Sequence, residues 1–123
     1  WLDQAEEDLD SARLLFRGGK YYMVCFLAQQ IAEKAIKAFI YSKGQEFVIG
    51  HSIEELCHQA ATWDKSFKLL RKEVAILDTF YIPTRYPNGL PDSIPARVYT
   101  KKSATEALKL TEKVVTKVKK LMG

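Results

Sequence analysis

At 123 residues the chain has room for one domain with a single core. Its hydrophobic fraction of 47% and charged fraction of 28% are those of an ordinary globule, and no apolar run approaches the ~20 residues that span a bilayer. A net charge of +4 is too small to signal nucleic-acid binding by itself, and Cys25 and Cys57 are too few for a disulfide scaffold, so a reducing, cytoplasmic setting is expected.

The first predicted helix covers residues 2–17. Leu2, Ala5, Leu9, Ala12, Leu15 and Phe16 share one face, and Gly18-Gly19 stops it. This opening is acidic (Asp3, Glu6, Glu7, Asp8, Asp10) and is expected to contain no signal peptide; without an initiator Met, the natural chain is expected to begin before Trp1.

Residues 20–43 form a long second helix ended by Gly44. It carries two periodicities: an apolar face of Val24, Leu27, Ala28, Ile31, Ala35, Ala38 and Phe39, and a polar stripe of Gln30, Glu33, Lys34, Lys37 and Tyr41.

A third helix starts at Ser52 with a capping box to Glu55 and runs to about Thr62. A fourth covers about 66–80 with Leu69, Leu70, Val74 and Leu77 inward. The last helix opens with a second capping box, Ser103 to Glu106, and ends at Leu121. Its inward residues are Ala107, Leu108, Leu110, Thr111, Val114, Val115, Val118 and Leu121.

Between the fourth and last helices, residues 81–100 hold all four prolines, at intervals of four. Proline removes the amide a helix needs, so this reads as a long connection. It is too apolar for a disordered linker, and so is expected to pack across the helices.

The order of motifs identifies a resemblance. Phe16-Arg17-Gly18-Gly19-Lys20-Tyr21-Tyr22 is followed by Gln29-Gln30-Ile31-Ala32-Glu33-Lys34-Ala35-Ile36-Lys37-Ala38. Then come His51-Ser52-Ile53-Glu54-Glu55-Leu56, Tyr81-Ile82-Pro83-Thr84-Arg85-Tyr86-Pro87 and a last amphipathic helix. Together these resemble the stand-alone prokaryotic HEPN domain, the higher-eukaryote-and-prokaryote nucleotide-binding domain, over nearly the whole chain. The resemblance implies an all-α, up-and-down bundle of four main helices plus a short extra helix, with the proline-containing loop before the last helix, as one domain over residues 1–123.

It also implies frequent homodimers and a partner minimal nucleotidyltransferase, many such pairs behaving as toxin and antitoxin. Some members of the family cleave RNA without metal, using an Arg followed after four to six residues by a His. Neither His51 nor His58 has an Arg at that distance upstream, and no His follows Arg71, Arg85 or Arg97. The expectation is therefore an accessory module that binds a nucleotide, a partner nucleotidyltransferase or both, without robust ribonuclease activity. The alternatives are an RNA endonuclease with a degenerate site of His51, Arg85 and helix-two polar residues, and a purely structural helical dimer.

The candidate ligand-binding or interface residues are Gln30, Glu33, Lys34, Lys37, His51, Arg85 and Tyr86; no catalytic residue, metal ligand or cofactor is assigned. Each has a plainer reading. The helix-two stripe is also what a solvated face with i, i+4 pairs looks like, with Glu33 to Lys37 in the favourable orientation. As an interface it would extend through Tyr22 and Phe26, the basis for expecting a homodimer.

Arg85 either pins the loop by pairing with Glu33 or Asp78, or offers its fork to a phosphate. His51 is either a neighbour of the Ser52 cap or a hydrogen-bonding group and general base. Lys109, Lys113 and Lys117 line one face at i, i+4 spacing; they complement the helix dipole or engage phosphates.

Overall fold

A computed structural model describes residues 1–80 and 94–123, apart from the side chains of Pro95 and Ala96. The helices are α1 (Leu2–Arg17), α2 (Tyr21–Tyr41), α3 (Ile53–Ala60), α4 (Phe67–Val74), α5 (Pro95–Val98) and α6 (Lys101–Met122), with a 3-10 segment (Ala75–Phe80) continuing α4. The fold is the all-α bundle expected, and no strand occurs among the described residues. Most of the proline connection, with Arg85 and Tyr86, lies outside the described residues; its last part forms the short α5.

Chain reversal after α1 follows from Gly18-Gly19. Gly19 takes φ +77°, a left-handed conformation open to glycine. The amide of Gly19 then reaches the Phe16 carbonyl at 3.1 Å and that of Lys20 the Leu15 carbonyl at 2.9 Å, the paired bonds of a Schellman cap.

The central element is α2, packed against α1, α3, α5, α6 and the 3-10 segment. Its alanines explain how several neighbours fit. Ala28, Ala32 and Ala35 are fully buried, and at Ala28 helix α6 comes close enough for the buried Thr111 hydroxyl to donate to the Ala28 carbonyl at 2.8 Å. The larger core groups are Phe39 and Phe67, whose ring centres stand 4.8 Å apart, with Ile31, Ile36, Ile40, Ile53, Leu56 and Leu77.

Helix α6 runs antiparallel to α1. Glu6 meets Lys119 at 3.2 Å and Arg13 meets Glu112 at 3.7 Å, so the acidic start of one helix lies beside the basic end of the other. Such half-exposed pairs contribute at most ~1 kcal/mol each and set orientation more than stability.

Three sequence expectations are corrected. Leu69 is 65% exposed, while Phe67 is fully buried. Phe67, Leu70 and Val74 mark the inward stripe, and Leu69 stands about 200° round the helix from Phe67. Helix α6 begins at Lys101, capped by the Thr100 hydroxyl accepting from the Ser103 amide at 3.3 Å, so Ser103 lies inside the helix; at the other end Leu121 is exposed. At α3 the expected Ser52 cap is present, its hydroxyl accepting from the Glu55 amide at 3.2 Å, and Asp78 adds acceptors for the amides of Ile53 and Glu54.

Candidate functional site

Helical spacing places Gln29, Glu33 and Lys37 on one stripe of α2, and all three are buried, at 1%, 6% and 7% exposure. Segment 45–52 covers them. Val48 is buried, and its amide donates to the Tyr41 hydroxyl at 3.4 Å. Gly50, at φ +108°, then provides a left-handed bend that brings His51 back toward α2.

There the Gln29 side-chain amide donates to the His51 carbonyl at 2.8 Å and its oxygen accepts from Gln30 at 2.6 Å. Glu33 receives two groups, His51 Nδ1 on Oε1 at 2.9 Å and Lys37 Nζ on Oε2 at 3.4 Å. Lys37 also stands 5.7 Å from the centre of the Trp1 ring, which stacks on Tyr41 at 5.6 Å. Lys34 turns to the first helix and pairs with Asp8 at 2.5 Å.

The stripe is thus neither a solvated face nor an open one. Of the stripe Gln30, Glu33, Lys34, Lys37 and Tyr41, Glu33 and Lys37 are buried, and Glu33, Lys34 and Lys37 are engaged in ion pairs. The structure brings Gln30, Glu33, Lys37 and His51 together and directs Lys34 away to α1. A solvated i, i+4 pair stabilises by ~0.2–0.5 kcal/mol. A buried pair responds far more strongly when one partner is removed, because the other is left without a counter-charge in a region poor in water.

Next to this cluster, Asp78 closes the start of α3. Its carboxylate accepts from Ile53 N at 2.6 Å, Glu54 N at 3.1 Å and the Ser52 hydroxyl at 3.0 Å. Gln29, His51, Ser52 and Asp78 line a cleft of about 230 Å³. Sequence reasoning singled out neither Gln29 nor Asp78 as a site residue. The signal for Gln29 was its place one turn before Glu33; Asp78, more than twenty residues from the helix it caps, left no local signal.

The His51 side chain is 62% exposed, although its Nδ1 is held by a buried carboxylate. A carboxylate on one ring nitrogen orients the imidazole. That is the orienting half of a general-base arrangement. The phosphate-stabilising half would fall to Arg85, outside the described residues; Lys37, the cation of the cluster, is engaged by Glu33.

Flanking Val48, Phe47 and Ile49 are 80% and 83% exposed. The central residue enters the core and its neighbours turn outward, so the segment that leads to His51 carries two exposed large apolar side chains. Cys25 and Cys57 are buried free thiols, both pushed up to about 12 by burial, with the Asp78 carboxylate adding to the effect at Cys57. They are inert core groups under ordinary conditions.

Comparison with known proteins places these features in a family. The HEPN domain profile matches residues 1–121. The crystal structure of TT1696 from Thermus thermophilus superposes with a TM-score of 0.91 at 38% identity, covering 98% of this chain and 94% of that one. The crystal structure of ST0689, described as an archaeal HEPN homologue, superposes with a TM-score of 0.78 at 33% identity, covering 100% and 95%. The candidate toxin MJ1304 of Methanocaldococcus jannaschii is 28% identical over 127 residues, covering 97% of this chain and 84% of the relative.

Proposed function

The chain belongs to the HEPN domain family, and from that premise we propose that it is the toxin-like member of a two-protein pair, docking a minimal nucleotidyltransferase on the face built by segment 45–52. The observation that carries this is the exposure of Phe47 and Ile49 in the segment that leads to His51 of the Glu33–Lys37–His51 cluster. Large apolar groups held out by an anchored segment suit the desolvated centre of an interface, with polar groups at its edge.

The neighbouring cleft, at about 230 Å³, is below the 300–1,000 Å³ typical of pockets that enclose a small ligand, which favours a protein partner over an enclosed nucleotide. A nucleotide would then be met across the partner's own site. Self-association belongs to the same proposal, since Tyr22 and Phe26 are only half-buried on α2 and keep surface for a second copy.

Co-expression with a minimal nucleotidyltransferase from the same genome tests the reading. The pair is expected to copurify, and Phe47→Ser with Ile49→Ser to abolish copurification while leaving helicity and melting unchanged. Copurification indifferent to both substitutions would move the interface elsewhere.

A second reading has its own observation, the Glu33-oriented imidazole of His51 at 2.9 Å. It makes the protein an RNA endonuclease with His51 as the base. Incubation with structured and single-stranded RNA separates the two: cleavage lost in both His51→Ala and Glu33→Gln establishes the enzyme, and no cleavage leaves the binding module.

A further inference from the structure

A groove on another face of the bundle, between α4 and α6, shares no residue with the site above. Its wall on α6 is Lys109, Lys113, Lys117 and Lys120, and its floor is Leu69 and Leu70 of α4. The volume is about 590 Å³.

Among the described residues the lysine row is only partly paired. Of the two glutamates lining the groove, Glu73 is taken by Lys113, and Glu112 pairs with Arg13 on the far side at 3.7 Å. Lys109, Lys117 and Lys120 have no carboxylate at ion-pair distance among the described residues. Lys117 instead lies 5.8 Å from the centre of the Phe67 ring, its stem laid along apolar surface. Leu69 is 65% exposed.

We propose that this groove docks an acidic amphipathic helix of a partner protein. Charge complementarity sets the sign: three lysines along one wall with no described carboxylate at ion-pair distance call for carboxylates. The apolar floor sets the class. An exposed leucine between helices offers a seat for an apolar anchor at i, i+3, i+4 spacing, the mode in which a helix lies in a groove.

A nucleic-acid strand fits the same surface less well. The described lining of the groove presents no aromatic ring on which a base could stack. Length agrees with a helix. From Lys109 to Lys120 the wall extends about 17 Å, or about three turns of a docked partner.

The probe is a labelled synthetic helix with leucines at i, i+3, i+4, i+7 and glutamates elsewhere, titrated into the full chain. Its controls are the same peptide with Gln for Glu, the same with Ala for Leu, and a single-stranded oligouridylate of similar length. The acidic leucine peptide is expected to bind and both altered peptides to bind about tenfold more weakly or worse. Lys109→Glu with Lys120→Glu is expected to weaken binding by a similar factor, and so is Leu69→Ser. All three positions are at the surface, and unchanged helicity verifies the fold of each variant.

Two results overturn the proposal. One is preferred binding of the oligouridylate with no effect of Leu69→Ser, which assigns the groove to phosphates. The other is peptide binding that ignores all three substitutions, or no binding at all. Neither outcome bears on the Phe47–Ile49 face, whose test is copurification.

Discussion

Removing the charge from Glu33 while keeping its shape probes the organising centre of the candidate site. In Glu33→Gln the Lys37 ammonium, only 7% exposed, loses the carboxylate 3.4 Å away. Taken alone, that attraction is about 5 kcal/mol at an effective dielectric of ~20. Desolvation already offsets much of it in the native protein, but truncating one partner leaves the other's desolvation uncompensated, and such changes cost about 3–5 kcal/mol. The Trp1 ring, 5.7 Å from the ammonium, softens the loss by ~0.5–1 kcal/mol. The amide still accepts from His51 Nδ1, so that bond weakens and survives.

The expectation is a loss of about 3 kcal/mol, a fall in melting temperature of about 10–15 °C for a domain of this size. Lys37→Met should cost less, because Glu33 keeps its contact with His51, and the double variant should recover much of the single loss. Urea unfolding followed by circular dichroism measures all four proteins and yields a coupling energy above about 1.5 kcal/mol. A single-variant loss below about 0.5 kcal/mol, or strict additivity, would refute the idea that this buried pair organises the site.

Asp78→Ala strips the α3 start of three acceptor contacts and should cost about 2 kcal/mol, with amide exchange at Ile53 and Glu54 accelerating more than in α1. Thr111→Val removes the buried bond to the Ala28 carbonyl and should cost about 1 kcal/mol, read as a lower urea midpoint with unchanged slope. Cys25 and Cys57 should resist thiol reagents in the folded protein at pH 8 and react at once in denaturant. Burial raises both thiols from 9.0 to about 12, so an unfolded chain releases these protons first; their contribution is complete below pH 9 and is lost as pH rises toward 12. Alkaline unfolding of Cys25→Ala with Cys57→Ala should show a shallower loss across that window.

What was legible in the sequence was local. The periodic faces of the first two helices and the Gly18-Gly19 stop gave α1 and α2 to within a few residues, because spacing and backbone freedom act over one or two turns. The charge asymmetry between α1 and α6 was visible because both helices are long and antiparallel.

The fourth helix was misread at Leu69, since a short segment rich in leucine admits two inward stripes and only packing against Phe39 selects the one through Phe67. For the site, the polar stripe was recognised but its burial was not: whether Glu33 and Lys37 meet water depends on segment 45–52 folding back over them. Asp8 as the partner of Lys34, and Asp78 as that of Ser52, were invisible, each 26 residues away.

The contact of Thr111 with Ala28 spans 83 positions of the chain. During synthesis α2 emerges with its small-residue face prepared for a helix that does not yet exist. At ~5–20 residues per second, the interval between completing Tyr41 and completing Met122 is about 4–16 s. Throughout it, the surface reserved for α6 is open to water, to other nascent chains and to chaperones. The hairpin of α1 and α2 can form early, but its acidic flank awaits Lys119 and its alanine groove awaits Thr111. Lesions within α6 should therefore appear as degraded or aggregated chains before they appear as a weakened native state.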